Sequence, residues 1–434
     1  MLNSRRRLAI VTPIFSDRVS GGSERLIYLY SLLLSKHYEV TVLSTRSLDY
    51  LTWKNQIPVK ELSLVQLGPD TEKRISSEWM QMSEEDKIRV LRFSVEKERN
   101  IKEFNKFSEK LFRQEGPRSL FGKSGQIIKS EEQEGKWIEM QGPYCPDLIS
   151  YIETNERDYD LFIFVSYLYF PMVYGLPLVS RKSVVIPTLH DEPPAKLSIY
   201  KKIFKDDSAY CFNTPEEREL FEKIFGFTPS LEAVIGMHLS SDIGISKVNK
   251  QIDSTLRFLY VGRIDEGKGV MQLAEFFANW QKKSARNDQL LIAGKGDEKL
   301  LQRLGKYKGV KPIGFLEESE KIRQILNADV LINPSPMESF SIILMEAWIR
   351  EVPVLVNGRS DVLKGHCLRS NGGLYYSDQE SFSAVAEYLA THPYERFEMG
   401  SNGRKYVEAN FNSLTVEKKL TNILERCIRR KYSE

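Results

Sequence analysis

Ten short apolar runs, each of five to seven residues, recur along the chain with helical stretches between them, and the series starts afresh halfway. The first half carries LAIVTPI (8–14), YEVTVLS (38–44), LFIFVS (161–166), SVVIPT (183–188) and AYCFN (209–213). The second carries RFLYVG (257–262), QLLIAG (289–294), VKPIGF (310–315), DVLINP (329–334) and VPVLVN (352–357). Runs so short and so continuously apolar suit strands buried on both faces, and their alternation with helices predicts parallel sheets. SERLIYLYSLLLSKH (23–37), between the first two runs, is one such helix. Each half opens with a strand that enters a glycine-bearing loop, SGGSE (20–24) and GRIDEGKG (262–269). A chain of 434 residues exceeds the size at which a single core keeps growing. The expectation is an α/β chain with two Rossmann-like domains in tandem, 1–237 and 238–413, the second opening on the polar stretch 238–254. LTVEKKLTNILERCIRRKYSE (414–434) reads as an amphipathic terminal helix with a basic tail, expected to pack back on the N-terminal domain.

One segment breaks the repeat. Residues 70–136 are charged and helical in composition, interrupted by GPRSLFGKSG (116–125), and read as a charged helical insertion in the first domain. Within 87–129 there are 12 Lys/Arg against 5 Glu. A solvated helical hairpin accounts for that composition, and so does a basic face for anionic lipid or an anionic acceptor. For the whole chain the net charge is only +3, with a pI near 8.4, which does not point to nucleic acid. No apolar stretch approaches the 18 residues of a membrane span, and MLNSRRRLAIVTPIF reads as a first strand, not a secretory signal. The four cysteines are scattered, with no C-x-x-C and no metal-ligand spacing. These features lead to the expectation of a cytoplasmic protein, possible membrane association being confined to the inner face.

The chemistry concentrates where strands end. MESFSIILMEAW (337–348) follows the strand DVLINP through the turn formers Ser335 and Pro336. Ser339 or Ser341 is placed to cap the helix that follows, whose first amides would face the carboxyl edge of the sheet, a position suited to phosphate. Glu338 would stand at the mouth, and Glu346 lies inside an otherwise apolar helix. A carboxylate there needs a partner, a buried arginine, a backbone amide or the hydroxyls of a ligand. Two carboxylates flanking a phosphate-binding helix end suit a nucleotide-sugar, with hydroxyls at both ends. In GRIDEGKG, Arg263 offers a fork and Lys268 a point charge over the same edge. Gly294 and Gly296 of GKGDEK would permit close backbone approach to a planar base. Gly21 and Gly22 would let amides approach a diphosphate, although paired glycines before a helix are also ordinary turns. PTLHDEPP (187–194) crowds His190, Asp191 and Glu192 at another strand's end.

Taken together, Glu338…Glu346 as E-x7-E within PSPMESFSIILMEA, GRIDEGKG, GGSER and LHDEP resemble the family 4 glycosyltransferases, retaining enzymes of the GT-B fold. The resemblance is clearest over 256–358 and 8–34, extends more weakly over 160–235, and leaves out the insertion. It implies two Rossmann-like domains facing a cleft and the transfer of a hexosyl or related group from a nucleotide-diphosphate sugar to a hydroxyl acceptor. The acceptor would be a saccharide or lipid-linked saccharide, in cell-surface polysaccharide or glycolipid assembly. Glu346 would hold the donor's ribose hydroxyls, and Glu338 would sit by the donor sugar. The amides of Phe340 and Ser341, with Arg263 and Lys268, would hold the diphosphate, and Gly22 would add another amide. His190 would lie near the reacting sugar, with Asp191 assisting. No metal or other cofactor is expected, since these cations can neutralise the diphosphate. Two positions depart from the pattern. Glu351 stands where a glycine is usual before the Pro-Val strand, and the SFS loop carries serine where glycine is common. A catalytically idle GT-B scaffold or glycan-binding protein, and a GT-B nucleotide-sugar epimerase, remain alternative readings.

Overall fold

The computed structural model describes residues 5–16, 21–58, 61–68, 71–81, 87–112, 130–239 and 255–431. The chain divides into two compact units, Met1–Ile235 with Glu417–Glu434, and Gly236–Val416. It therefore crosses between them twice.

The first unit holds a nine-stranded sheet: β1 (Arg7–Val11), β2 (Glu39–Thr45), β3 (Glu61–Gly68), β4 (Thr71–Gln81), β5 (Lys87–Phe93), β6 (Leu161–Val165), β7 (Ser183–Ile186), β8 (Ala209–Phe212) and β9 (Glu232–Val234). Their order is β3-β4-β5-β2-β1-β6-β7-β8-β9. The ladders are parallel from β5 to β9, and only β3–β4 and β4–β5 are antiparallel. The antiparallel edge corrects the reading of 70–136 as helical. In β5, KIRVLRF, the charged composition suggests a helix, yet Ile88, Val90, Leu91 and Phe93 are all buried. Beside β2 the strand gains a full parallel ladder, Thr41↔Arg89 to Thr45↔Phe93, which outweighs the composition. The later part of the segment is helical. Ile101–Phe112 and Glu131–Gln141 pair through Phe104 and Phe112 on Trp137, whose Nε1 donates to Ser108 Oγ at 2.9 Å. The loop expected at 116–125 lies outside the described residues, as does most of the polar stretch 238–254.

The terminal helix Ser413–Lys431 turns its apolar stripe, Leu420, Ile423, Leu424, Cys427 and Ile428, inward. Glu425 accepts from Arg6 at 2.6 Å and from Tyr38 at 3.0 Å, so from Glu417 onward this helix completes the first unit.

The second unit carries six parallel strands: β10 (Arg257–Val261), β11 (Gln289–Ala293), β12 (Val310–Gly314), β13 (Val330–Asn333), β14 (Val354–Asn357) and β15 (Gly373–Tyr376). Their order, β12-β11-β10-β13-β14-β15, reverses between β10 and β13. Open α/β sheets bind ligands outside the carboxyl ends of the strands at such a reversal. Helix Val270–Ser284 packs beside Gln379–Thr391 on a core that includes Phe258, Phe277 and Leu290. Helix Ile342–Trp348 packs on Pro393–Asn410, where Trp348 lies so close to Gly403 that a Cβ there would meet it at 2.0 Å.

Candidate functional site

The loops after β10 and β13 meet at the strand reversal of the second unit. After β10 the chain makes a short turn in which Asp265 Oδ1 accepts the Lys268 amide at 3.0 Å. Gly269 follows at φ +72°, and a Cβ there would stand 2.6 Å from the Pro334 carbonyl oxygen. Only glycine lets the two loops close this tightly. The result places the Lys268 ammonium 2.8 Å from Glu338 Oε1 and 3.4 Å from Ser335 Oγ, joining residues that are 70 positions apart. Arg263 is exposed on the same loop, its carbonyl accepting the Tyr260 hydroxyl at 2.5 Å.

Two asparagines that the sequence reading passed over hold the second loop. Asn333, ending β13, accepts the Ser335 amide at 3.0 Å and donates to Ser341 Oγ at 2.9 Å, fastening both ends of 335–341. Asn357, ending β14, donates to the Pro334 carbonyl at 2.9 Å. Both close an apolar run, LIN and LVN, and a polar amide at the end of a buried strand was the signal that could have revealed them.

The cap expected from serine is not made. Ser341 occupies the N-cap position of Ile342–Trp348, but its hydroxyl is taken by Asn333 and makes no capping bond, while Ser339 precedes the helix. Ser341 also sits at φ +72°, a conformation glycine adopts readily and serine does not. The serine in SFS thus occupies a glycine-like backbone position. Glu351 is at φ +57°, so the usual glycine before the Pro-Val strand has the same backbone cause.

Glu346 is 4% exposed, and a lysine from another helix reaches its carboxylate. Lys321 Nζ lies 2.9 Å from its Oε1, while Arg350 donates to its main-chain carbonyl at 2.7 Å. Phe340 is buried, its ring edge-on to His366 at 5.6 Å and to Phe411 at 5.0 Å. Burial pushes His366 down to about 3, with the nearby Arg369 adding to the effect, so the ring behind the loop is neutral. Its Nδ1 lies 3.0 Å from the Tyr406 hydroxyl.

Gly294 and Gly296 have a close neighbour other than a base. A Cβ at Gly294 would fall 1.7 Å from the Gly262 carbonyl oxygen, and one at Gly296 would fall 2.5 Å from that of Ile264. These glycines let the strand end receive the backbone of 262–264, with Ile264 donating its amide to the Lys295 carbonyl at 2.8 Å. Their identity is accounted for by loop packing.

In the first unit, Gly21 and Gly22 begin helix Gly22–Ser35, with the Glu24 carboxylate folded over Gly21, 1.7 Å from where a Cβ would be. His190 follows β7, its Nδ1 3.9 Å from Glu192 Oε1, which also accepts the Tyr167 hydroxyl at 2.7 Å. Asp191 is more exposed and pairs with Lys196 at 2.8 Å. Glu217, fully buried, accepts the amides of Leu189 at 2.7 Å and Asn213 at 2.6 Å and so braces this loop. Burial raises its carboxyl to about 7 against the hydrogen bonds that favour the charge. Ser166 and Thr188 both adopt positive φ beside His190, and Thr188 donates to Ser166 Oγ at 3.2 Å. Backbone strain collects at this strand edge.

Two Rossmann-like α/β units of this kind constitute a GT-B fold. Sucrose-phosphate synthase from Thermosynechococcus elongatus shares it with a TM-score of 0.63 at 16% identity, over 97% of this chain and 99% of that one. Residues 244–406, less than half of the chain, match the family model "Glycosyl transferases group 1". An uncharacterised glycosyltransferase of Methanocaldococcus jannaschii is 28% identical over 171 residues, covering 38% of this chain and 43% of that protein. A GDP-mannose-dependent monoacylated alpha-(1-6)-phosphatidylinositol monomannoside mannosyltransferase of Corynebacterium glutamicum is 26% identical over 302 residues, 62% of this chain and 77% of that protein. The chain spans less than half the length of the first of these relatives. No helix among the described residues is long and apolar enough to cross a membrane.

Proposed function

We propose that the chain is a retaining glycosyltransferase that moves a sugar from a nucleotide-diphosphate sugar to a hydroxyl acceptor. The observation that carries this reading is the Lys268–Glu338 ion pair at the strand reversal of the second unit, with buried Glu346 in the helix that follows, all within the residues that match the glycosyl transferase model. In this proposal Lys268 and Arg263 take the diphosphate oxygens, with the Phe340 and Ser341 amides. Glu346 takes the ribose hydroxyls, and Glu338 exchanges its lysine for contact with the donor sugar. A cation now held by a carboxylate is set to be claimed by a phosphate, which carries more charge. His190, with Asp191 at its side, and Gly22 keep the roles that the resemblance implies, and Gly21 lets the chain approach the diphosphate beside Gly22. Gly294 and Gly296 act by shaping the 262–264 loop.

The acceptor oxygen attacks the anomeric carbon from the face the phosphate leaves, the carbon–oxygen bond to phosphate breaks, and the leaving phosphate oxygen takes the hydroxyl proton. No metal is assigned to this step. Catalysis then consists of positioning and of stabilising charge on the leaving diphosphate. The Corynebacterium relative, named for a lipid-linked mannoside acceptor, favours a lipid-linked saccharide here too. In the basic segment 87–129, the exposed Lys102, Lys106 and Lys110 of helix Ile101–Phe112 would supply peripheral contact with anionic lipid.

The test is thermal. A nucleoside diphosphate bound at a hundred times its Kd stabilises the native state by about 2.7 kcal/mol, so one of UDP, GDP or ADP is expected to raise Tm. Lys268→Ala and Glu346→Ala should remove both that rise and transfer, with the circular dichroism of the fold kept. If no nucleoside diphosphate shifts Tm, the proposal fails.

A further inference from the structure

We infer that Lys321, a residue outside every motif above, is a positioning residue that aims Glu346 at the ribose diol of the nucleoside diphosphate. The inference rests on the functional reading just given. Lys321 lies on helix Glu318–Asn327, which follows β12 and packs against Ile342–Trp348. Its ammonium lies 2.9 Å from Glu346 Oε1 and 2.9 Å from Glu318 Oε2. The lysine side chain is 13% exposed and that of Glu318 is 62% exposed. The ammonium is therefore drawn in two directions, by a buried carboxylate below it and a solvated one at the rim.

Within its helix Glu346 is flanked by Leu344, Met345, Ala347 and Trp348, all buried, and Arg350 donates to its main-chain carbonyl. Lys321 reaches its carboxylate from the neighbouring helix. A carboxylate has about four acceptor sites, and one ammonium does not exhaust them. Glu318, one turn before Lys321, keeps the ammonium from following Glu346 when a ligand engages it. The arrangement gives the acid a fixed charge and a fixed orientation before the diol arrives, which lowers the ordering cost of binding.

A lysine that merely neutralised a core acid would affect stability alone. A positioning lysine affects the recognition of ribose. The experiment measures binding by calorimetry for UDP, GDP and ADP, for their 2′-deoxy counterparts and for inorganic pyrophosphate, in the parent, Lys321→Met and Lys321→Arg. The expected result for Lys321→Met is a nucleoside diphosphate affinity at least tenfold weaker, pyrophosphate affinity unchanged, and loss of the parent's preference for ribose over 2′-deoxyribose. Lys321→Arg should recover most of that preference. The parent binding no nucleoside diphosphate would overturn the functional reading itself. A parent that binds but ignores the 2′-hydroxyl removes the diol role from Glu346, and the inference falls with it. Should Lys321→Met lower Tm yet keep the parent's ribose preference, the functional reading stands and the inference about Lys321 is wrong.

Discussion

At the scale of single residues, Glu351 carries a cost with a visible cause. Its φ of +57° is a conformation that costs an L-residue about 1–2 kcal/mol. Replacing it with glycine removes that strain but adds about 0.5–1 kcal/mol of unfolded-chain entropy. The variant also loses the pair with Arg404 at 3.4 Å, in which both side chains are partly exposed, a class of contact usually worth under 1 kcal/mol. The terms nearly cancel, and Glu351→Gly is expected to be neutral or slightly stabilising, within about 0.5 kcal/mol by denaturant titration. A loss above about 1 kcal/mol would mean that the Arg404 contact outweighs the strain. Positions after strands could be read from the sequence: Glu338, Arg263, Lys268 and His190 stand in loops or turns that follow strands, and Glu346 stands in the helix after β13. Lys321 could not be. Its partner is 25 positions away on another helix, and only the packing of two helices across an apolar interface brings them together.

At the scale of elements, the ten apolar runs became strands within a few residues of their expected limits because each pairs in a parallel sheet and all but the edge strand β12 are largely buried there. The hairpin β3–β4 and strand β5 escaped notice for the opposite reason: charged residues alternate with apolar ones in β5, KIRVLRF, and break the continuous apolar signature. The glycines of GKGDEK were legible as a place of close approach, and the backbone of 262–264 makes one such approach. A prediction belongs here. Gly296→Ala would press a methyl against the Ile264 carbonyl oxygen at 2.5 Å and against Ile264 Cβ at 2.6 Å, neither of them the far end of a flexible side chain. The loop must move, at a cost of about 1–3 kcal/mol. Because the same loop carries Arg263 and Lys268, affinity for pyrophosphate should fall together with Tm. Lost stability with unchanged pyrophosphate affinity would separate the loop from the anion site.

At the scale of the whole molecule, the two units are expected to respond to acid in opposite directions. Each buries a group that desolvation brings to titrate between about pH 3 and 7, Glu217 in the first and His366 in the second. Around Glu217 stand the amides of Leu189 and Asn213, with Tyr30 and Cys211 packed nearby as further titratable groups. Its carboxyl titrates near 7 in the folded unit against 4.5 when exposed, so between these values the native state holds the extra proton. Its contribution to stability is therefore greatest below pH 4.5 and is lost as pH rises to 7. His366 faces Tyr406, Phe340, Trp348 and Phe411, with Arg369 as the nearby cation. It titrates near 3 when folded against 6.5 when exposed, so here the unfolded state holds the extra proton. Its contribution is complete above pH 6.5 and is lost as pH falls toward 3. Each pH unit crossed inside either window is worth up to about 1.4 kcal/mol. A single melting temperature cannot resolve two units with opposed slopes. Amide hydrogen exchange can, by following β6 and β7 in the first unit and β13 and β14 in the second. Between pH 6.5 and 5, after correction for intrinsic exchange, the opening free energy should rise in the first pair and fall in the second. Glu217→Gln should flatten only the first slope, at the cost of setting an amide donor against one of the two backbone N–H groups while its oxygen accepts from the other. His366→Phe should flatten only the second, and parallel slopes in both units of the parent would contradict the assignment of these two groups as the buried sensors.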